Sequence, residues 1–254
     1  MGVSIVITSG KGGTGKTTVA ASLASCLSAL GKTVICVDAD IGARNLDIAL
    51  GLSGGISGSL DLSDALRMPD EPGAALTAHP DLPGLSLISA PLTRRVSELD
   101  TRAFAPLIRA LSARADFVLV DCCAGLEDGF FMSVNACERA VIVSTADASS
   151  LRVAARCAQL TGKEKRPRLI VNRVNPKLIV GRNAPEIDDI MDATGLPLLG
   201  LVPEDEMVSA AANRGVPLTL AGGTGAAAAI LRIARRLLGE DVPIGRMKRW
   251  QVNG

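Results

Sequence analysis

Short apolar runs rich in β-branched residues alternate along the chain with longer stretches in which apolar positions recur every three or four residues. Val3–Thr8 is the first run and breaks at Ser9-Gly10; Lys16–Leu30 then places Val19, Leu23, Cys26, Leu27 and Leu30 on one helical face closed by Gly31. Thr33–Asp38 is almost continuously apolar, the pattern of a parallel strand covered on both faces. Leu85–Ser89, Phe117–Asp121, Ala140–Ser144, Arg168–Asn172 and Leu196–Val202 predict further strands, and Ser97–Arg114, Ser149–Leu160, Ala184–Ala193 and Gly225–Leu238 predict helices. Such alternation implies an α/β fold: one doubly wound, mostly parallel sheet with helices on both faces, and ligands beyond the carboxyl ends of the strands. Residues 1–238 form that single domain in this reading, and residues 239–254 a tail. Ser53–Pro83, rich in Gly, Ser and Pro, predicts surface loops around one short helix near Leu60–Arg67.

Composition narrows the picture. With 48% hydrophobic residues the chain can bury a sizeable core, which excludes the disordered class. Lys and Arg total 27 against 26 Asp and Glu, so any basic contact must be local rather than a coat for nucleic acid. Aromatics are 2% of residues, which argues against stacking platforms for single strands. Residues 1–10 lack the basic start of a secretory signal and no apolar run is long enough to cross a bilayer, so a cytosolic chain is expected. The six cysteines contain no CxxC pair and read as small buried hydrophobes in a reducing compartment. His79, with no second histidine to share a metal, reads as structural.

The chemistry is concentrated between the first strand and the first helix. Gly10-Lys11-Gly12-Gly13-Thr14-Gly15-Lys16-Thr17 satisfies G-x4-G-K-[ST] in the context that gives the pattern meaning. Its glycines let the backbone curl until several N–H groups point inward, and the helix N-terminus adds partial positive charge. Lys16 then reaches the β and γ phosphates of a nucleotide, and the Thr17 hydroxyl is placed for Mg²⁺. Such a loop calls for an acid at the end of a neighbouring strand, and Asp121 in Phe117-Val118-Leu119-Val120-Asp121 supplies it, to hold a Mg²⁺-bound water.

Lys11-Gly12-Gly13-Thr14-Gly15-Lys16-Thr17-Thr18 resembles the deviant Walker A loop of the ParA/MinD ATPases, and the resemblance spans nearly the whole chain. It implies a P-loop NTPase fold of the SIMIBI type, ATP and Mg²⁺ as cofactors, and an ATP-dependent homodimer in which Lys11 reaches phosphates held by the other subunit. Val37–Asp47 is similar to the family's segment after the second strand, which makes Asp40 the residue that orients the attacking water and Asp38 a support of the Mg²⁺ shell beside Thr17 and Asp121. Two acids two residues apart at a strand end, next to a phosphate cradle, favour the same reading. Lys11, Lys16 and Asp40 are thus the implied catalytic set. Asn172 is implied to read the adenine edge, and Pro203-Glu204-Asp205, followed by Ala212–Gly215, resembles the base loop and the short helix behind it. One departure stands out: Asp121-Cys122-Cys123-Ala124-Gly125 lacks the family's proline after the strand-end acid. Regaining an N–H and a free φ there predicts altered switching with binding retained.

Within the family the similarity is greatest to the branch that places the division site. That branch implies a slow, partner-stimulated ATPase with division inhibitor and activator proteins as partners, for which Arg44, Arg94 and Arg95 mark candidate docking positions. In Pro243–Val252, Ile244, Met247 and Trp250 recur every third residue with Arg246, Lys248 and Arg249 between them, predicting a short basic amphipathic helix for an anionic membrane surface. The alternatives use the same engine differently: a DNA-partitioning ATPase touching phosphates through Arg232, Arg235 and Arg236, or a flagellar-number regulator. Three arginines beside Glu240 and Asp241 make a thin DNA footprint, so DNA is the less expected partner.

Overall fold

Every residue of Val34–Ala39 (β2) and Phe117–Cys122 (β5) is buried, and five of the six residues of Val3–Thr8 (β1) are fully so. Strands with no wet face must lie inside a sheet covered on both sides, and the computed structural model shows this for residues 1–52, 59–175, 177–178, 184–222 and 225–244, the ones it describes. The remaining strands are Thr77–Ala78 (β3), Leu85–Ile88 (β4), Arg139–Ser144 (β6), Arg168–Val174 (β7) and Leu198–Pro203 (β8). They form one sheet in the order β3-β4-β2-β5-β1-β6-β7-β8, parallel throughout except for β3, an antiparallel edge.

The helices are Lys16–Ala29 (α1), Leu46–Ala49 (α2), Leu62–Ala65 (α3), Phe104–Ser112 (α4), Asp128–Ala136 (α5), Ala148–Thr161 (α6), Ile187–Thr194 (α7), Glu206–Asn213 (α8) and Gly225–Leu237 (α9). One apolar layer joins the sheet to α1 and α9 through Leu23, Leu27, Ile230 and Ile233; the other joins it to α4, α5, α6 and α7 through Leu107, Phe130, Leu151 and Ile190. α1 packs on the sheet beside α9, which itself lies on β8, and its small residues, Ala20, Ala21, Ala24 and Ser25, let it be buried nearly all round.

The predicted strands all form, each within two residues of its expected ends. The helix predicted over Ser97–Arg114 forms only from Phe104, because Leu99 is extended and Asp100 turns its side chain onto the Arg102 N–H. Two elements have no local signal. Helix α5 carries a glycine and consecutive phenylalanines, and burial of Phe130 and Met132 decides it; the two-residue β3 exists only by pairing with β4. His79 is buried, its Nδ1 accepts the Asp81 N–H at 3.1 Å, and Nε2 therefore donates to the Leu50 carbonyl at 2.9 Å, a structural role.

Candidate nucleotide site

Residues 9–15 leave the carboxyl end of β1 and are shaped by close approach. A Cβ on Gly10 would lie 2.3 Å from Val153 Cγ1, and the Ser9 hydroxyl pins the turn by donating to the Lys11 carbonyl at 2.8 Å. Gly15 closes the loop as the N-cap of α1 at φ 90°, a left-handed conformation, and offers no side chain to the first-turn N–H groups. Those donors, added to the dipole of a fourteen-residue helix, make an anion seat.

Lys16 is buried under that seat. Strand pairing sets Asp38 of β2 directly beside Asp121 of β5, and Asp40 lies within Coulombic reach of Lys16 and of both acids. The three carboxyls differ in what holds them. Asp38 is fully buried, with its oxygens accepting from the Asp40 and Leu46 N–H groups at 3.0 and 3.1 Å, so it braces the loop that carries Asp40. Burial, then the neighbouring Asp121, pushes Asp38 up to about 7. Asp121 is pushed up to about 6 by burial, against Lys16 and the Thr17 hydroxyl, which favour its charged form. Neither Asp121 oxygen makes a well-formed hydrogen bond. A buried carboxylate with both oxygens unclaimed, beside a threonine hydroxyl, fits a hard cation. Mg²⁺ is normally shared between one or two carboxylates and phosphate oxygens, and Asp121 beside Thr17 supplies one such carboxylate.

Beside the loop opens a cleft of ≈ 720 Å³ whose lining includes Gly15, Thr18, Asn172, Pro203, Glu204 and Asp205. The structure thus gathers the residues expected at the base into one place. Asn172 Nδ2 donates to the Thr14 carbonyl at 2.8 Å, tying β7 to the loop. Asp205, which lines the cleft, caps α8 through the Met207 N–H and also accepts the Ala226 N–H, both at 3.0 Å, so its carboxylate joins α8 to α9. Sequence reasoning missed Arg173, which lines the cleft at φ 54°, in the left-handed region, at a register shift between β7 and β8; no periodic pattern signals a bulge of this kind.

Lys11 lies apart from the acids. Its Nζ is 3.4 Å from Asp147 Oδ1 and 3.2 Å from Ser150 Oγ, at the start of α6. Asp147, the N-cap of α6, is held well below the usual carboxylate range by the Thr145 and Ser150 hydroxyls. This partner too was missed, although an aspartate just before a predicted helix, as Asp147 is, marks an N-cap. In the loop that replaces the family's proline, Cys122 is buried with its thiol raised, whereas Cys123 is lowered by the hydrogen bond from Cys122 and packs against Gly129 at the start of α5. Arg44 is spent on Asp47 at 3.0 Å. Ile244 is exposed, and the rest of the expected amphipathic segment, with Arg246, Met247, Lys248, Arg249 and Trp250, lies outside the described residues. Among the described residues no helix is long and apolar enough to cross a membrane.

The family model for the CobQ/CobB/MinD/ParA nucleotide binding domain matches residues 5–218. Septum site-determining protein MinD of Bacillus subtilis is 38% identical over 248 residues, 96% of this chain and 92% of that protein. The Aquifex aeolicus MinC:MinD cell division protein complex contains a chain 35% identical with a TM-score of 0.87, covering 96% of this chain and 98% of that one. Septum site-determining MinD of Pyrococcus horikoshii, complexed with Mg-ADP, is 25% identical with a TM-score of 0.83, covering 95% and 100% of the two chains.

Proposed function

The chain belongs to the CobQ/CobB/MinD/ParA family of nucleotide-binding proteins, and from that premise we propose that it is a MinD-type ATPase, a dimerisation switch that cycles on and off a membrane to place the division site. One observation carries the reading: the loop that seats the phosphates also holds a second lysine, Lys11, which points away from the seat and rests on an exposed carboxylate.

In this scheme ATP takes the seat of first-turn N–H groups with Lys16 against its β and γ phosphates. Thr17 and Asp121 hold Mg²⁺, with Asp38 bracing from behind; the cation supplies charge neutralisation on the phosphates. Asp40 orients the attacking water. Asn172, with Nδ2 committed to Thr14, keeps its carbonyl oxygen to accept from the exocyclic amine of adenine, which guanine lacks at that position. Lys11 leaves Asp147 for phosphates bound by a second subunit. That exchange trades a solvated pair for a desolvated, charge-assisted one available only when nucleotide is present, so it couples ATP to dimerisation. Two tails held side by side then add their affinities for anionic lipid, and hydrolysis releases both. Turnover is slow until an activator completes the site. A MinC-type inhibitor is the inferred partner, by likeness to the Aquifex aeolicus complex. Relatives 37–38% identical over most of the chain that carry the MinD name favour this role over DNA partitioning or flagellar-number control.

Sedimentation with anionic vesicles in ATP against ADP tests the switch. Wild type is expected to pellet in ATP only, Lys11→Ala to bind nucleotide yet neither dimerise nor pellet, and Trp250→Glu to dimerise without pelleting; pelleting of Lys11→Ala at wild-type levels, or capture by DNA in place of vesicles, overturns the reading. A smaller effect reports on the Lys11 latch. The Lys11–Asp147 pair is 44% and 51% exposed and contributes little. Asp147→Asn, which keeps a capping side chain but removes the charge, is expected to lower the ATP concentration for half-maximal dimerisation about two- to fivefold. Light-scattering titration reads this directly, and an unchanged midpoint means the contact holds nothing back.

A further inference from the structure

At the end of the sheet opposite the nucleotide, the amino ends of β6 and β7 and the last turn of α9 bring together cations that the scheme above does not use. Arg236 spends its guanidinium on main-chain carbonyls: Nη1 donates to Leu199 at 2.7 Å, Nε to Val242 at 2.7 Å and Nη2 to Pro243 at 2.6 Å. It thereby stitches the chain leaving α9 to the edge strand β8. Arg168 leans on the same strand, with Nη2 3.5 Å from the Leu198 carbonyl. Arg139 begins β6, its Nε buried without a hydrogen bond and 3.8 Å from the exposed Glu138. Lys165 donates to the Cys137 and Asn135 carbonyls at 2.8 and 3.3 Å, just before Arg139 along the chain.

These groups repel one another. After partial burial, Arg139 is what lowers Arg168, and Arg232 and Arg168 are what lower Arg236. The acids at the rim, Glu138 and Glu240, are more than 3.5 Å from their arginines and about half exposed or more. Like charges of which Arg168 and Arg236 are held by carbonyls rather than by carboxylates cost the free protein stability, and a polyanion offsets that cost.

We propose that Arg139, Arg168, Arg232 and Arg236 form a second membrane contact, a docking face for the phosphates of anionic lipid at the root of the tail. The inference rests on the membrane reading given above. Chain length favours lipid as the occupant. Pro243 is pinned by Arg236, and Met247 follows four residues later. Met247 is therefore at most about 14 Å away at full extension, and about 6 Å away along the helix its sequence predicts. A tail seated in a bilayer holds Pro243, and with it the Arg236 end of the cluster, within one to two Debye lengths, each about 8 Å at physiological salt, of the headgroups. The exposed Ile244 between them is an apolar side chain of little use to a DNA backbone.

The test uses the full chain with Mg·ATP and phosphatidylcholine vesicles containing zero to about 40 mol% phosphatidylglycerol. Arg139→Gln with Arg232→Gln is the variant, since Arg236 also pins the chain. It is expected to dimerise normally and to bind the most anionic vesicles about ten- to thirtyfold more weakly, with a shallower dependence on phosphatidylglycerol and on salt. A binding curve that superimposes on wild type overturns the inference and leaves the tail-only membrane reading standing. Wild type that binds no vesicle overturns both. A variant that loses short duplex DNA but keeps its vesicles overturns the lipid assignment.

Discussion

Asp121→Asn is expected to silence Mg²⁺-dependent ATP turnover by two to three orders of magnitude, the several kcal/mol a bound cation supplies, while raising the melting temperature of the ligand-free protein. The two effects share one cause. Both Asp121 oxygens are buried and unclaimed, and burial pushes the carboxyl from 3.8 up to about 6. A carboxyl that titrates higher in the fold than in the unfolded chain holds its proton more tightly when folded. Its favourable contribution is therefore complete below about pH 4 and is lost as the pH rises through about 6. Above that, the ionised form costs the fold about 3 kcal/mol, a cost the amide does not carry. Thermal melts should show the variant about 5 °C above wild type near pH 7.5 and level with it near pH 4. Mg·ATP should stabilise wild type alone. A variant less stable than wild type at neutral pH would mean that the Asp121 charge is already satisfied within the fold, and the cation site would have to be sought elsewhere.

Gly15→Ala is expected to weaken nucleotide binding about a hundredfold or more with only a modest loss of stability. At φ 90° a side chain is strained whatever space surrounds it, and here the new Cβ would sit 2.3 Å from Asn172 Nδ2. The strand β7 cannot yield easily, because the same amide is bonded to Thr14 in the loop. The loop must therefore open, which misaims the first-turn donors of α1 and frees Asn172 from its place beside the cleft. Isothermal titration with ATP reads the loss. Gly13→Ala is the control: it also has positive φ, at 78°, but meets nothing within 4 Å, so it should lose clearly less. Equal losses at the two positions would show that backbone strain alone, not contact with Asn172, sets the loop.

How far the site was legible follows from where its information lies. The phosphate loop is a local device, with its glycines, lysine and threonine contiguous between one strand and one helix, so its spacing named the chemistry before any folding was considered. Strand-end acids are nearly as plain, since Asp38 and Asp121 each close an apolar run. Their direct pairing across β2 and β5 was not readable, because it depends on strand order, and neither was the bracing of Asp38 by the Leu46 N–H. The resemblance pointed to Asn172 and Pro203–Asp205 as base-binding residues; the structure adds that they converge on one cleft. Neither local pattern nor resemblance showed that Asn172 is tied to Thr14, that Asp205 joins two helices, or that Lys11 rests on Asp147, contacts spanning 158, 21 and 136 positions of chain.

The same division runs through the fold. Strands buried on both faces are written as unbroken apolar runs and helices as three-to-four periodicity, because each pattern is imposed by the solvent-facing geometry of a single element. These patterns determined the α/β class and the number of major strands, and the contiguous loop motif at residues 10–17 determined the position of the anion seat. Tertiary structure decided the order of strands, the α5 helix, the edge strand β3, and which charges meet: Asp38 with Asp121, Lys11 with Asp147, and Arg168 with Arg139 and Arg236. Those outcomes come from packing and Coulomb energies between residues far apart in sequence, and such energies have no values until the layers have closed on one another.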